Sequence, residues 1–103
     1  MQEENLPQFP TVSLDDARNA AIKAAYDIVD EHRHDSDRFT WNCPIVELVA
    51  IGAGANAIVV YRIEIELTKR RGWGPKGQWK FEFQVDPRSG RVVGMKDFGW
   101  RED

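Results

Sequence analysis

The chain has 103 residues, 42% of them apolar and 30% charged, with a net charge of −3. These totals describe one domain with a modest core, exclude a disordered chain and give no global pull toward nucleic acid or an anionic membrane. A lone cysteine, Cys43, excludes an internal disulfide, and no run approaches the roughly 20 apolar residues of a membrane span.

The charge is unevenly placed. Residues 1–47 hold ten acids and four bases, and residues 48–103 hold seven acids and ten bases. The first stretch, MQEENLPQFP, is acidic, with Pro7 and Pro10 favouring extended backbone, and residues 1–11 read as a flexible lead-in to a single domain over 12–103. It lacks the basic start and apolar run of a secretory signal, so the chain as given reads as cytoplasmic, with export expected only if a leader once preceded it.

Ser13 opens a predicted helix. Its hydroxyl can accept from the amide of Asp16, and Asp15 and Asp16 suit the positive end of the helix dipole. Leu14, Ala17, Ala21, Ala24, Ala25 and Ile28, widened by Ile22 and Val29, form a stripe at spacings of three and four. Its small side chains predict close seating on a sheet. The stripe fades over Glu31 to His34.

Four strands follow. Trp41–Ile51 is the first, with Pro44 marking an edge position or an irregular start. Gly52–Asn56 is a turn without the spacing or following helix of a dinucleotide loop. Ala57–Leu67 alternates cleanly, with Val59, Tyr61, Ile63, Ile65 and Leu67 on one side and Arg62, Glu64 and Glu66 on the other. A long connection, Thr68–Gln78, leads to a strand that places Trp79, Phe81, Phe83 and Val85 inward. The Asp86–Gly90 turn needs Pro87 at its second position and a positive φ at Gly90. Arg91–Met95 returns antiparallel, and Phe98, Gly99 and Trp100 form an aromatic tail suited to covering a sheet edge. The predicted fold is α+β: one N-terminal helix packed on a four-stranded antiparallel meander sheet.

The helix opening SLDDA and the ending FEFQVDPRSGRVVGM together resemble a PepSY-type domain. Ser13, Leu14, Asp16 and Ala17 match the first motif; Phe83, Val85, Asp86, Gly90 and Val93 match the second. The resemblance spans residues 12–95, departing around His32–Arg38 and Thr68–Gln78. It implies a cystatin-like helix-on-sheet module that binds or inhibits peptidases or senses something outside the cell, with no catalytic set to carry over.

Lys69, Arg70, Arg71, Trp73 and Lys76, within TKRRGWGPKGQ, are the candidate partner-binding residues. Basic side chains around an aromatic can hold an acidic protein with Trp73 as anchor, or a phosphate backbone with the ring stacked on a base. One short basic loop is weak beside the distributed patches of nucleic-acid binders, so a protein partner is preferred and nucleic acid is not expected. The plainer alternative is a solvated connection with Trp73 folded back over the sheet margin.

Asp30–Asp37 contains His32 and His34 among carboxylates. On a helix the two imidazoles diverge by about 200°, so joint metal binding needs an extended chain there, and no metal is assigned. Cys43 lacks a visible activating base and reads as packing, so no catalytic residue and no cofactor are assigned. Glu64, Glu66 and Glu82 read as cross-strand ion-pair partners of Arg62 and Lys80. The expectation is a non-enzymatic binding or inhibitory module. Its alternatives are a small ligand-pocket protein or enzyme with a cavity lined by Trp41, Tyr61, Trp79 and Phe81, and a homodimer pairing through an edge strand.

Overall fold

A computed structural model of the chain describes residues 12–52 and 54–103. The lead-in expected over residues 1–11 lies outside the described residues, as does Ala53 of the Gly52–Asn56 turn. A helix, α1 (Leu14–Arg33), and a 3₁₀ turn (Ser36–Arg38) precede four strands: β1 (Phe39–Ile51), β2 (Ile58–Lys69), β3 (Gly77–Val85) and β4 (Val92–Glu102). The strands form one antiparallel sheet in the order β1-β2-β3-β4. The expected α+β architecture, a helix on a four-stranded meander, is therefore the observed one.

The start of α1 follows from its cap. Ser13 has extended backbone and its Oγ accepts from the Asp16 amide at 3.0 Å. Ala17, Ala21, Ala25 and Val29, each four residues apart, are fully buried. With so little side chain between them and the sheet, they rest directly on Ile63, Ile65 and Leu67 of β2 and Phe81, Phe83 and Val85 of β3. Leu14, the first residue of the expected stripe, is exposed instead. At the far end His34 takes a left-handed conformation (φ 61°), its N–H donating to Asp30 O, and turns the chain toward β1.

From Tyr61 onward β2, like β3, is paired on either side and keeps strict alternation. Odd-numbered residues of β3 and of β2 from Tyr61 face the helix, and even-numbered ones face away. On the outer face Arg62 reaches Glu47 at 2.7 Å, Glu82 at 2.8 Å and Glu64 at 3.3 Å, and Lys80 lies 3.5 Å from Glu64. Cross-strand neutralisation of this kind lets a charged face survive on adjacent strands.

The edge strands alternate irregularly. In β1 the register shifts between Asn42 and Ile45, so Cys43 and Pro44 form a bulge. Before it, odd-numbered Phe39 and Trp41 face the helix; after it, even-numbered Val46 and Leu48 do. Strand β4 shifts twice, between its pairings with Gln84 and Val85 and between those with Trp79 and Phe81. Gly99 (φ 85°) supplies the left-handed residue of the second shift. There Asp97 Oδ1 accepts from Trp79 Nε1 at 2.6 Å and from the Gly99 amide at 2.8 Å, satisfying a buried indole. The last strand thus runs on to Glu102 and absorbs the expected aromatic tail: Trp100 pairs with Trp79.

The β3–β4 turn forms as expected. Asp86 Oδ1 accepts from the Arg88 amide at 2.9 Å, Oδ2 accepts from Ser89 Oγ at 3.0 Å, and Gly90 has φ 76°. Those bonds hold the Asp86 carboxyl below its ordinary pKa, the Arg88 amide contributing most.

Candidate functional site: the β2–β3 loop and the groove beside it

Strands β2 and β3 extend further than the sequence suggests, shortening their connection to residues 70–76. Of the five basic and aromatic residues singled out there, two form its scaffold. Lys69 is the last residue of β2 and faces inward, with 2% of its side chain exposed. Its Nζ donates to Asp35 Oδ2 at 2.7 Å and to the carbonyl of Trp73. Lys76 Nζ donates to the carbonyls of Gly72 and Gly74 from the other side. An ammonium with several carbonyl and carboxylate partners is a tether, and two of them fix this loop from both flanks.

Asp35 completes the brace. Burial disfavours its carboxylate, but the hydrogen bond from Lys69 and the charges of Arg33 and Lys69 outweigh that and hold its pKa below the ordinary range. Its Oδ1 lies 3.4 Å from Arg33 Nε, a charge contact without the alignment of a hydrogen bond. Arg33 in turn lies 4.4 Å over the Trp100 ring and 5.6 Å over Phe39. The end of α1, the end of β2, the loop and the last turn of β4 thus meet through one ionic and aromatic cluster.

The other three residues stay available. Trp73 is 95% exposed rather than folded back on the sheet, although its carbonyl is held. Arg70 and Arg71 are exposed and line an open groove of about 490 Å³ with Asp37, Arg38, Thr40 and Thr68. The aliphatic part of Arg38 lies over Gly72, where a Cβ would come within 3.2 Å of Arg38 Cδ. Arg38 and Thr40 were not singled out from the sequence. Their place in the groove depends on the β1–β2 register, which pairs Thr40 with Thr68 and Phe39 with Lys69.

The remaining candidates are spread apart. His32 is within the last turn of α1, its ring 5.9 Å from that of Trp79, while His34 caps the helix. No group of three or more metal-ligating side chains occurs among the described residues. Cys43 sits in the β1 bulge with Sγ 3.6 Å from Ile45 O, and burial pushes its thiol pKa up, away from the thiolate that nucleophilic chemistry uses. Tyr61, Trp79 and Phe81 are buried in the core, and Trp41 is half exposed at its margin under Arg18. A second open groove, of about 440 Å³, lies between the start of β2 and the β3–β4 turn, lined by Ile58, Val59, Pro87, Arg88 and Val93. Among the described residues no helix is long and apolar enough to cross a membrane.

No family model, curated protein or solved structure matches the chain. The resemblance to PepSY-type domains therefore rests on the short motifs at residues 13–17 and 83–93.

Proposed function

We propose that the chain is a non-enzymatic binding module that engages an acidic segment of a partner protein through the 70–76 loop. The observation that carries this reading is Trp73: a 95% exposed indole on a loop braced by Lys69 and Lys76, flanked by free guanidinium groups. Tryptophan and arginine are the residues most enriched where binding energy concentrates, and a loop already held in place loses little entropy on binding. The arginines favour acidic partners and speed their encounter. The PepSY-like motifs point the same way, toward a helix-on-sheet scaffold whose work is recognition. The ligand-pocket alternative would need space between helix and sheet, where the alanine face of α1 is instead fully buried.

Selection from a displayed random peptide library tests the reading. Wild-type protein should enrich sequences rich in Asp and Glu with an aromatic or apolar residue, and a Trp73→Ala, Arg71→Ala variant should lose that enrichment while keeping its melting temperature. Equal enrichment by both proteins would remove the loop from any binding role.

A further inference from the structure

The β1–β2 register places like charges together at one end of the sheet. Phe39 pairs with Lys69 as the last pair, so Arg38, which ends the 3₁₀ turn before β1, and Arg70 and Arg71, which follow β2, line one groove. Like charges gathered around one groove repel. Elsewhere this protein neutralises such positions: Arg62 has three carboxylates within 3.3 Å and Arg33 has Asp35 and the Trp100 ring. Among the described residues the only acid lining the groove is Asp37, 81% exposed, with Oδ2 4.0 Å from Arg38 Nε. Arg70 and Arg71 have no hydrogen bond or ion pair among the described residues.

The other polar lining is also donor-rich. Thr40 and Thr68 lie side by side on the face away from the helix. Thr40 Oγ1 reaches Thr68 O only at a long 3.5 Å, and Thr68 Oγ1 accepts from Gln78 Nε2 at 3.5 Å, leaving its own proton to donate.

We infer that this groove binds a phosphate monoester. Three guanidinium groups against one carboxylate leave two positive charges, which a phosphate monoester, close to a dianion at neutral pH, cancels. Its oxygens only accept, as this lining requires, and their tetrahedral spread can be met by donors from both strands and the loop. A carboxylate offers one charge and two oxygens in a plane, and would leave an arginine unpaired. The inference rests on the binding-module reading in one respect: the groove adjoins the Trp73 loop through Arg38 and Gly72, so the phosphate is expected on the partner segment that Trp73 anchors.

The test is a calorimetric titration of the full chain with an acidic peptide carrying phosphothreonine and an aromatic residue, and with its unphosphorylated form. It is accompanied by NMR titration with inorganic phosphate and with single-stranded RNA. The phosphopeptide should bind at least about tenfold more tightly, the worth of one or two charge-assisted hydrogen bonds. Arg38→Gln with Arg71→Gln should abolish that ratio, whereas Trp73→Ala should weaken both peptides alike. Inorganic phosphate should shift the Thr40, Thr68 and Arg71 amides, with the double glutamine variant unresponsive. If the unphosphorylated peptide binds through Trp73 and the phosphate adds nothing, the inference falls and the module reading stands. If inorganic phosphate shifts those amides but neither peptide binds, the phosphate site stands and the module reading falls. RNA binding more tightly than the phosphopeptide would overturn the inference, assigning the groove to a nucleic-acid backbone.

Discussion

The two ends of the sheet are built on opposite principles. At the end that carries Trp73, ion pairs and cation–π contacts join α1, β1, β2, the loop and β4. At the other end the β1–β2 hairpin runs past its neighbours: β2 last pairs with β3 at Tyr61–Val85, so Ile58, Val59 and Val60 have β1 alone beside them. From Leu48 to Tyr61 there is no charged residue, and Leu48 is 59% and Ile58 58% exposed. Polar partners with defined geometry fix a segment in one place; apolar residues without a second layer gain nothing from any one arrangement. The difference teaches where each kind of information sits. The braced end presents a side chain in a set position, and the apolar end, apart from the buried Val60, presents apolar surface.

Substitutions can sharpen or break this contrast. The largest effect is expected from the core that both ends share: Phe83→Ala should lower stability by ~3–5 kcal/mol, since it empties a position that is 1% exposed beneath the helix. Urea unfolding measures it, and a loss under about 1 kcal/mol would remove Phe83 from the core. Next comes the brace. Lys69→Ala should cost about 3 kcal/mol, at the low end for breaking a buried pair because Asp35 keeps 24% of its side chain in water. Replacing Arg70 and Arg71 with alanine should change stability by no more than about 0.5 kcal/mol each. Equal costs for Lys69 and the two arginines would erase the division between scaffold and presented residues.

Acid should weaken the braced end. The folded pKa of Asp35 lies below its unfolded value, so its contribution is complete above the ordinary aspartate value of about 3.9 and is lost as pH falls through the lower folded value. The stability gap between wild type and Asp35→Asn should therefore be widest near neutrality and close below about pH 4. A gap that widened on acidification would reverse the sign assigned to this pair. The smallest effect belongs to the apolar end. Leu48→Ser and Ile58→Ser should each stay within about 0.5 kcal/mol of wild type, both side chains being largely in water already. A cost above about 2 kcal/mol by thermal unfolding would mean that this end is packed in solution.

The helix and the two central strands were legible because each has a single burial period. Four-residue spacing of small side chains marks α1, and two-residue alternation marks β2 and β3. The edge strands were less so. The bulge at Cys43–Pro44 switches the inward parity of β1, and the two shifts in β4 break alternation after Val92 and again at Phe98–Gly99. A reading by period therefore ends the last strand at Met95, and it cannot bring Arg38 into one groove with Arg70 and Arg71. The candidate loop was recognisable as basic and aromatic. The division of labour within it was not, because an inward-facing lysine at a strand end looks like its neighbours until the register is known. The apolar hairpin had a signal in the uncharged run between Glu47 and Arg62, but strand alternation alone gives that run no special weight.

The central claim is that recognition belongs to the braced end and not to the apolar one. Its most direct test is the affinity of one library-selected acidic peptide for three proteins: wild type, Trp73→Ala, and Leu48→Ser with Ile58→Ser. A loss of at least about tenfold for Trp73→Ala, the scale of a truncated hot-spot residue, with no change for the serine pair is the predicted result. Unchanged affinity for Trp73→Ala, with binding lost in the serine pair, would contradict it and move the working surface to the opposite end of the sheet.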